Sequence, residues 1–113
     1  MKKVIHKKLV RDKIPGIIRA DNAEPVTRLL SEAEYRKSLL EKLVEEAIEL
    51  RDSDADIDER ADVAEVLRAL DRAFDYSAEQ VEQARRLKAD RRGGFVDKVF
   101  LEEVIFENET PRD

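Results

Sequence analysis

Apolar residues recur along this chain at helical spacing, and acidic residues interrupt that spacing at two points. From Leu39 to Leu50, positions 39, 43, 46 and 50 read Leu, Leu, Glu, Leu. A second stripe at 59, 62, 66, 70 and 73 reads Glu, Asp, Val, Leu, Ala. Core-facing stripes at this spacing are normally apolar throughout. The pattern predicts a long helix from about Glu32 to Arg51. A capping box opens it: the Ser31 hydroxyl accepts from the Glu34 amide while the Glu34 side chain reaches back. Leu39, Leu40, Leu43, Val44, Ala47 and Ile48 are expected inward. The polar stretch Asp52 to Asp58 is short enough to make the next helix, about Asp58 to Asp75, an antiparallel neighbour. Apolar residues cover more than one face of that second helix. It is therefore expected at the centre of the fold or against a partner subunit.

A third long helix is predicted from the Ser77/Gln80 capping box to Arg92, where Gly93-Gly94 stops it. Ahead of these helices, Met1 to Ile18 alternates basic and apolar residues. It is expected to be extended before Pro15 and briefly helical near Ile17 to Ala20, with Asp21 to Pro25 as a loop. Residues 95–106 are rich in β-branched and aromatic types, which predicts a short strand pair or an irregular segment packed over the helices. Asn108 to Asp113 reads as a frayed tail. The fold class expected is all-α: one domain spanning 1–113, an antiparallel helical bundle completed by dimerisation, with a short extended C-terminal segment.

Composition narrows the chemistry. With 113 residues, three Gly, three Pro and 43% charged residues, the chain suits one helical domain with short connections. Cysteine is absent, which excludes disulfides, thiolate metal sites and cysteine nucleophiles. The single histidine, His6, cannot supply a His-rich zinc site and reads as a partly exposed imidazole. A net charge of −5 argues against general nucleic-acid binding. No signal peptide or membrane-length apolar run is present, so a cytoplasmic protein with no membrane or nucleic-acid partner is the expectation.

Charge is segregated along the chain. Residues 1–13 carry six Lys/Arg against Asp12, residues 41–62 carry ten acids against three bases, and residues 85–92 carry five bases against Asp90. Glu46/Glu49 and Glu59/Asp62 are each spaced i,i+3, so each pair presents oxygens on one side of its helix. Four carboxylates on adjacent helices repel unless a cation intervenes, and Mg²⁺ or Mn²⁺ favours such oxygen ligands. Magnesium also binds substrate phosphates, so hydrolysis of a nucleotide phosphoanhydride follows as a reaction class. Glu45 points further from the stripe and ranks below Glu46, and Glu65 ranks lower again. Plainer readings stand beside these. Lys42 can pair with Glu45 or Glu46, Glu59 can be the reciprocal acid of an Asp56 capping box, and Lys8, Arg11 and Lys13 can belong to a solvated terminus. Arg91 and Arg92 can simply complement a helix dipole.

The stretch Lys8-Leu9-Val10-Arg11-Asp12-Lys13-Ile14-Pro15 resembles the opening of small MazG-like, all-α nucleoside triphosphate pyrophosphohydrolases. Glu46-x-x-Glu49 and Glu59-x-x-Asp62, with Glu45 in front, resemble that superfamily's magnesium motif. Arg92-Gly93-Gly94-Phe95 resembles an element of its phosphoribosyl-ATP pyrophosphohydrolase-like branch. In this ordered set one departure stands out: only nine residues separate Glu49 from Glu59. The resemblance implies a helical core completed by homodimerisation and magnesium-dependent cleavage between the α and β phosphates of a nucleoside triphosphate. It assigns Glu46, Glu49, Glu59 and Asp62 as Mg²⁺ ligands, and Lys8, Arg11, Lys13 and Arg92 as phosphate contacts. Two alternatives stay open: a non-enzymatic helical binding or regulatory module, and phosphoribosyl-ATP hydrolysis.

Overall fold

A computed structural model describes residues 1–107 of the chain. Its helices are α1 (Ile14–Ala20), α2 (Glu32–Asp52), α3 (Ile57–Ala73) and α4 (Ala78–Arg92). There is no strand among the described residues, so the fold class is all-α. Two compact units divide it, Met1–Ala78 and a second from Glu79 onward. The Asn108 to Asp113 tail lies outside the described residues.

In the first unit α2 and α3 form an antiparallel hairpin. The Ser31 hydroxyl accepts from the Glu34 amide at 3.2 Å, the Glu34 carboxylate accepts from the Ser31 amide at 3.1 Å, and Arg28 grips the same carboxylate at 3.0 Å. At the far end of α2 the Ser53 hydroxyl donates to the Leu50 carbonyl at 3.0 Å and accepts from the Asp56 amide at 3.1 Å. Asp54 and Ala55 reverse the chain with φ of 56° and 65°. The Ala55 amide then donates to the Leu50 carbonyl at 3.0 Å, satisfying a carbonyl that the helix leaves open. Asp56 caps α3 by accepting from the Asp58 amide. That leaves the Glu59 carboxylate among the other acids rather than in a reciprocal cap.

Leu39, Val66, Leu70 and Ala73 are buried, and Leu9, Tyr35, Leu43, Ala69 and Phe74 pack against them. Both interrupted stripes therefore face inward, acids included. The wider inward set does not hold. Leu40 is 50%, Val44 61% and Ile48 43% exposed, and Ala47 is exposed as well. These residues lie to the side of the 39/43/46/50 line, and α3 covers one stripe of α2, not two. On α3, Ala61, Ala64 and Leu67 are likewise exposed, so within this unit only one face is buried. Arg36 closes the other end of the hairpin. Its Nε donates to the Ala73 carbonyl at 2.9 Å, and the guanidinium lies 5.3 Å from the Phe74 ring centroid. The short helix α1 starts at Ile14, earlier than its apolar residues suggest, because Pro15 in the first turn already holds helical φ.

In the second unit α4 buries none of its residues. Glu82 accepts from Arg85 at 2.6 Å and from Arg86 at 3.2 Å, which supports one turn of the exposed helix. Gly93, at φ 82°, ends it, its amide donating a hydrogen bond to the Ala89 carbonyl at 2.7 Å. Residues 95–106 are irregular rather than a strand pair, with a turn closed by Lys98 onto Phe95. Their apolar side chains, from Phe95 to Phe106, are exposed. Among the described residues no helix is long and apolar enough to cross a membrane.

Candidate metal centre

The interrupted stripes meet where α2 and α3 pack. Glu46 enters from α2, and Glu59 and Asp62 from the first turns of α3. Oxygens of these three lie within 4.8 Å of one another. Glu45, Glu46 and Glu49 form a second such group, so Glu46 is common to both. The spacing explains this sharing. Glu46 replaces the apolar residue at the centre of its stripe, whereas Glu45 and Glu49 flank it one position before and three after.

Glu46 is 6% exposed, the sole buried charged residue among those described. One of its oxygens, Oε1, lies 3.3 Å from Lys42 Nζ. The other, Oε2, is buried with no hydrogen-bond partner, and so is Glu59 Oε2. Burial pushes the Glu46 carboxyl above its ordinary value. The neighbouring Glu49 carboxylate reinforces the rise, and the Lys42 ammonium opposes it. Orphaned carboxylate oxygens inside a fold are costly, since each forfeits hydration without a replacement. Here two of them come from adjacent helices and belong to one acidic group. A hard divalent cation fits that donor set: every candidate ligand atom is an oxygen, and the charge to be neutralised is concentrated and partly buried.

Basic side chains also reach the acids. Lys42 is the most enclosed of them, its side chain 16% exposed and 3.5 Å from Glu45 Oε1. The pairing is legible from its i+3 and i+4 spacing, but its burial is not. Lys8 Nζ lies 3.6 Å from Glu45 Oε1, and Arg11 Nη2 donates to Asp62 Oδ1 at 2.6 Å. The N-terminal segment is solvated, with Met1 to Lys8 and Arg11 to Lys13 exposed, yet Lys8 and Arg11 tie it to the acidic group. Lys13 stands exposed at the N-cap of α1, and no ion pair among the described residues engages it. Arg92 ends α4 in the second unit and is exposed, as His6 is in the first. A polar recess of about 230 Å³ adjoins the acids, lined by Lys7, Lys8, Leu9, Ser38, Glu41, Lys42 and Glu45.

A protein of Mycolicibacterium smegmatis described as an uncharacterized protein is 54% identical to this chain over 46 residues, which is 41% of the chain. The match spans 47% of that relative, about half its length. No family model matches the chain. No solved structure matches it either.

Proposed function

We propose that the chain is a magnesium-dependent nucleoside triphosphate pyrophosphohydrolase, cleaving between the α and β phosphates to release a nucleoside monophosphate and pyrophosphate. The observation that carries this reading is the buried Glu46, whose unpartnered oxygen shares one acidic group with Glu59 and Asp62. The position of the cleaved bond comes from the resemblance of the ordered motifs to MazG-like enzymes.

Glu46, Glu49, Glu59 and Asp62 would hold Mg²⁺ or Mn²⁺, with Glu45 at the margin. A bound divalent cation neutralises phosphate charge and lowers the pKa of a neighbouring water. The chain's own contribution is positional. The hairpin brings carboxylates from two helices together, and Lys42 holds one Glu46 oxygen while leaving the other to a ligand. Lys8 and Arg11 supply positive charge at the edge of the group, where the polyphosphate tail of a substrate would need it. Lys13 and Arg92 join them only through the motif resemblance. Clearance of non-standard nucleotides is the role proposed for such an activity. A homodimer is proposed because Leu40, Val44 and Ile48 leave an apolar stripe exposed on α2.

The test is a panel of standard and damaged nucleoside triphosphates, incubated with and without Mg²⁺ and resolved by product. Monophosphate plus pyrophosphate is expected, abolished by EDTA and by Glu49→Ala. A second reading, a non-enzymatic binding module of the same fold, draws on the acids' existing basic partners. Absence of turnover on every substrate while Mg²⁺ still binds would favour it.

A further inference from the structure

The Arg11–Asp62 ion pair joins residues 51 positions apart, and no element of regular structure holds Arg11 there. Residues 1–11 lack helix or strand, yet two of their side chains end on the acids: Lys8 on Glu45 and Arg11 on Asp62. Leu9, between them, packs against the core and anchors the segment. Lys42 differs in kind. It sits on α2 itself with its side chain 16% exposed, whereas those of Lys8 and Arg11 are 45% and 57% exposed. Lys42 is a fixed part of the site. The other two are held at its rim by contacts that water already reaches, and such pairs are individually weak.

We propose that the Lys8–Arg11 segment is a tethered counter-ion of the acidic group, displaced from Asp62 when a divalent cation binds. The proposal rests on reading the acidic group as a cation site, for which the buried, unpartnered Glu46 Oε2 is the independent observation. The physical reason is competition. Asp62 belongs to the Glu46/Glu59/Asp62 group, and its carboxylate is held by Arg11 at hydrogen-bond distance. An incoming cation that takes Asp62 must overcome an internal rival whose effective concentration is set by its tether. The apparent affinity for metal is the intrinsic affinity multiplied by the fraction of molecules in which the rival is absent. Once displaced, the guanidinium remains beside the site with its donors free. Metal binding and exposure of an anion-gripping arginine are then one event.

Mn²⁺ titration of the full chain, followed by electron paramagnetic resonance, tests this together with tryptic cleavage after Arg11. Arg11→Gln is expected to bind Mn²⁺ about twofold to fivefold more tightly than the unaltered chain, the range one exposed pair sustains. Lys3→Gln, which makes the same charge change away from the acids, is expected to leave the affinity nearly unchanged. In the unaltered chain Mg²⁺ should accelerate cleavage after Arg11, and Asp62→Asn should do so without metal. Metal binding that is equal or weaker in Arg11→Gln, or cleavage that Mg²⁺ does not accelerate, overturns the counter-ion and leaves the cation site standing. Absence of Mn²⁺ binding in both chains, or binding that persists in Glu46→Gln, overturns both.

Discussion

Glu46 is the residue on which the acidic group turns, because it is costly to the metal-free protein. A buried carboxylate with one unpartnered oxygen, beside the like charge of Glu49, opposes folding unless something neutralises it. Glu46→Gln removes that charge and places an amide donor in the group that holds the unpartnered Glu59 oxygen. In EDTA the variant is expected to be more stable by about 1–2 kcal/mol, the usual scale of relieving an unsatisfied buried group, as read by urea denaturation. Saturating Mg²⁺ should reverse the order. At 100 times its Kd a ligand adds about 2.7 kcal/mol to the state that binds it, and Glu46→Gln should gain little of this. A variant less stable than the unaltered chain in EDTA would mean that Lys42–Glu46 is a structural ion pair, not the edge of a ligand site.

At the level of elements, the helix ends are local devices with local tests. Arg28 and the Ser31 cap hold the Glu34 carboxyl down to about 2 from an ordinary 4.5. A carboxylate with a lowered pKa contributes stability above its unfolded pKa and loses it as pH falls through the folded value. The α2 cap should therefore weaken between about pH 4.5 and pH 2. Amide exchange in the first turn of α2 should follow that window, and Glu34→Gln should remove the dependence. The α2–α3 turn offers the opposite case, a residue ill suited to its backbone. Ala55 sits at φ 65°, so Ala55→Gly is expected to stabilise the hairpin by about 0.5–1 kcal/mol in thermal or urea unfolding.

Such devices are what sequence can disclose. The Ser31/Glu34 box and the 39/43/46/50 stripe are encoded within a few residues, and both appear where spacing puts them. Arg11–Asp62 and Arg36–Ala73 are not legible in this way, since the first depends on the irregular N-terminal segment having reached α3 and the second on α2 and α3 having already met. The inward assignment of Leu40, Val44 and Ile48 failed for a related reason. Apolar character at those positions says that a partner surface is favourable, but not that this unit supplies one.

That last distinction sets the question for the whole molecule. The first unit buries only four apolar residues outright, Leu39, Val66, Leu70 and Ala73, which is slender support for a hairpin of two long helices. Leu40, Val44 and Ile48 meanwhile follow one another at i,i+4 on the solvent side of α2, and Val44 at their centre is 61% exposed. Burying such a stripe releases about 25 cal/mol for each Å² of apolar surface removed from water, so association would supply what the small core lacks. If two copies meet through α2, a charge at the middle of the stripe must be buried unpaired in the dimer while remaining harmless in the monomer. Val44→Asp is therefore expected to convert a dimer to a monomer in sedimentation equilibrium and to make the unfolding midpoint independent of protein concentration. Because Val44 points away from the acidic group's stripe, Mn²⁺ binding per chain should survive if each hairpin holds its ion alone. Loss of binding along with the dimer would instead make the metal centre a property of the assembly. An unaltered chain that sediments as a monomer at every concentration would remove dimerisation as the reason for the exposed stripe.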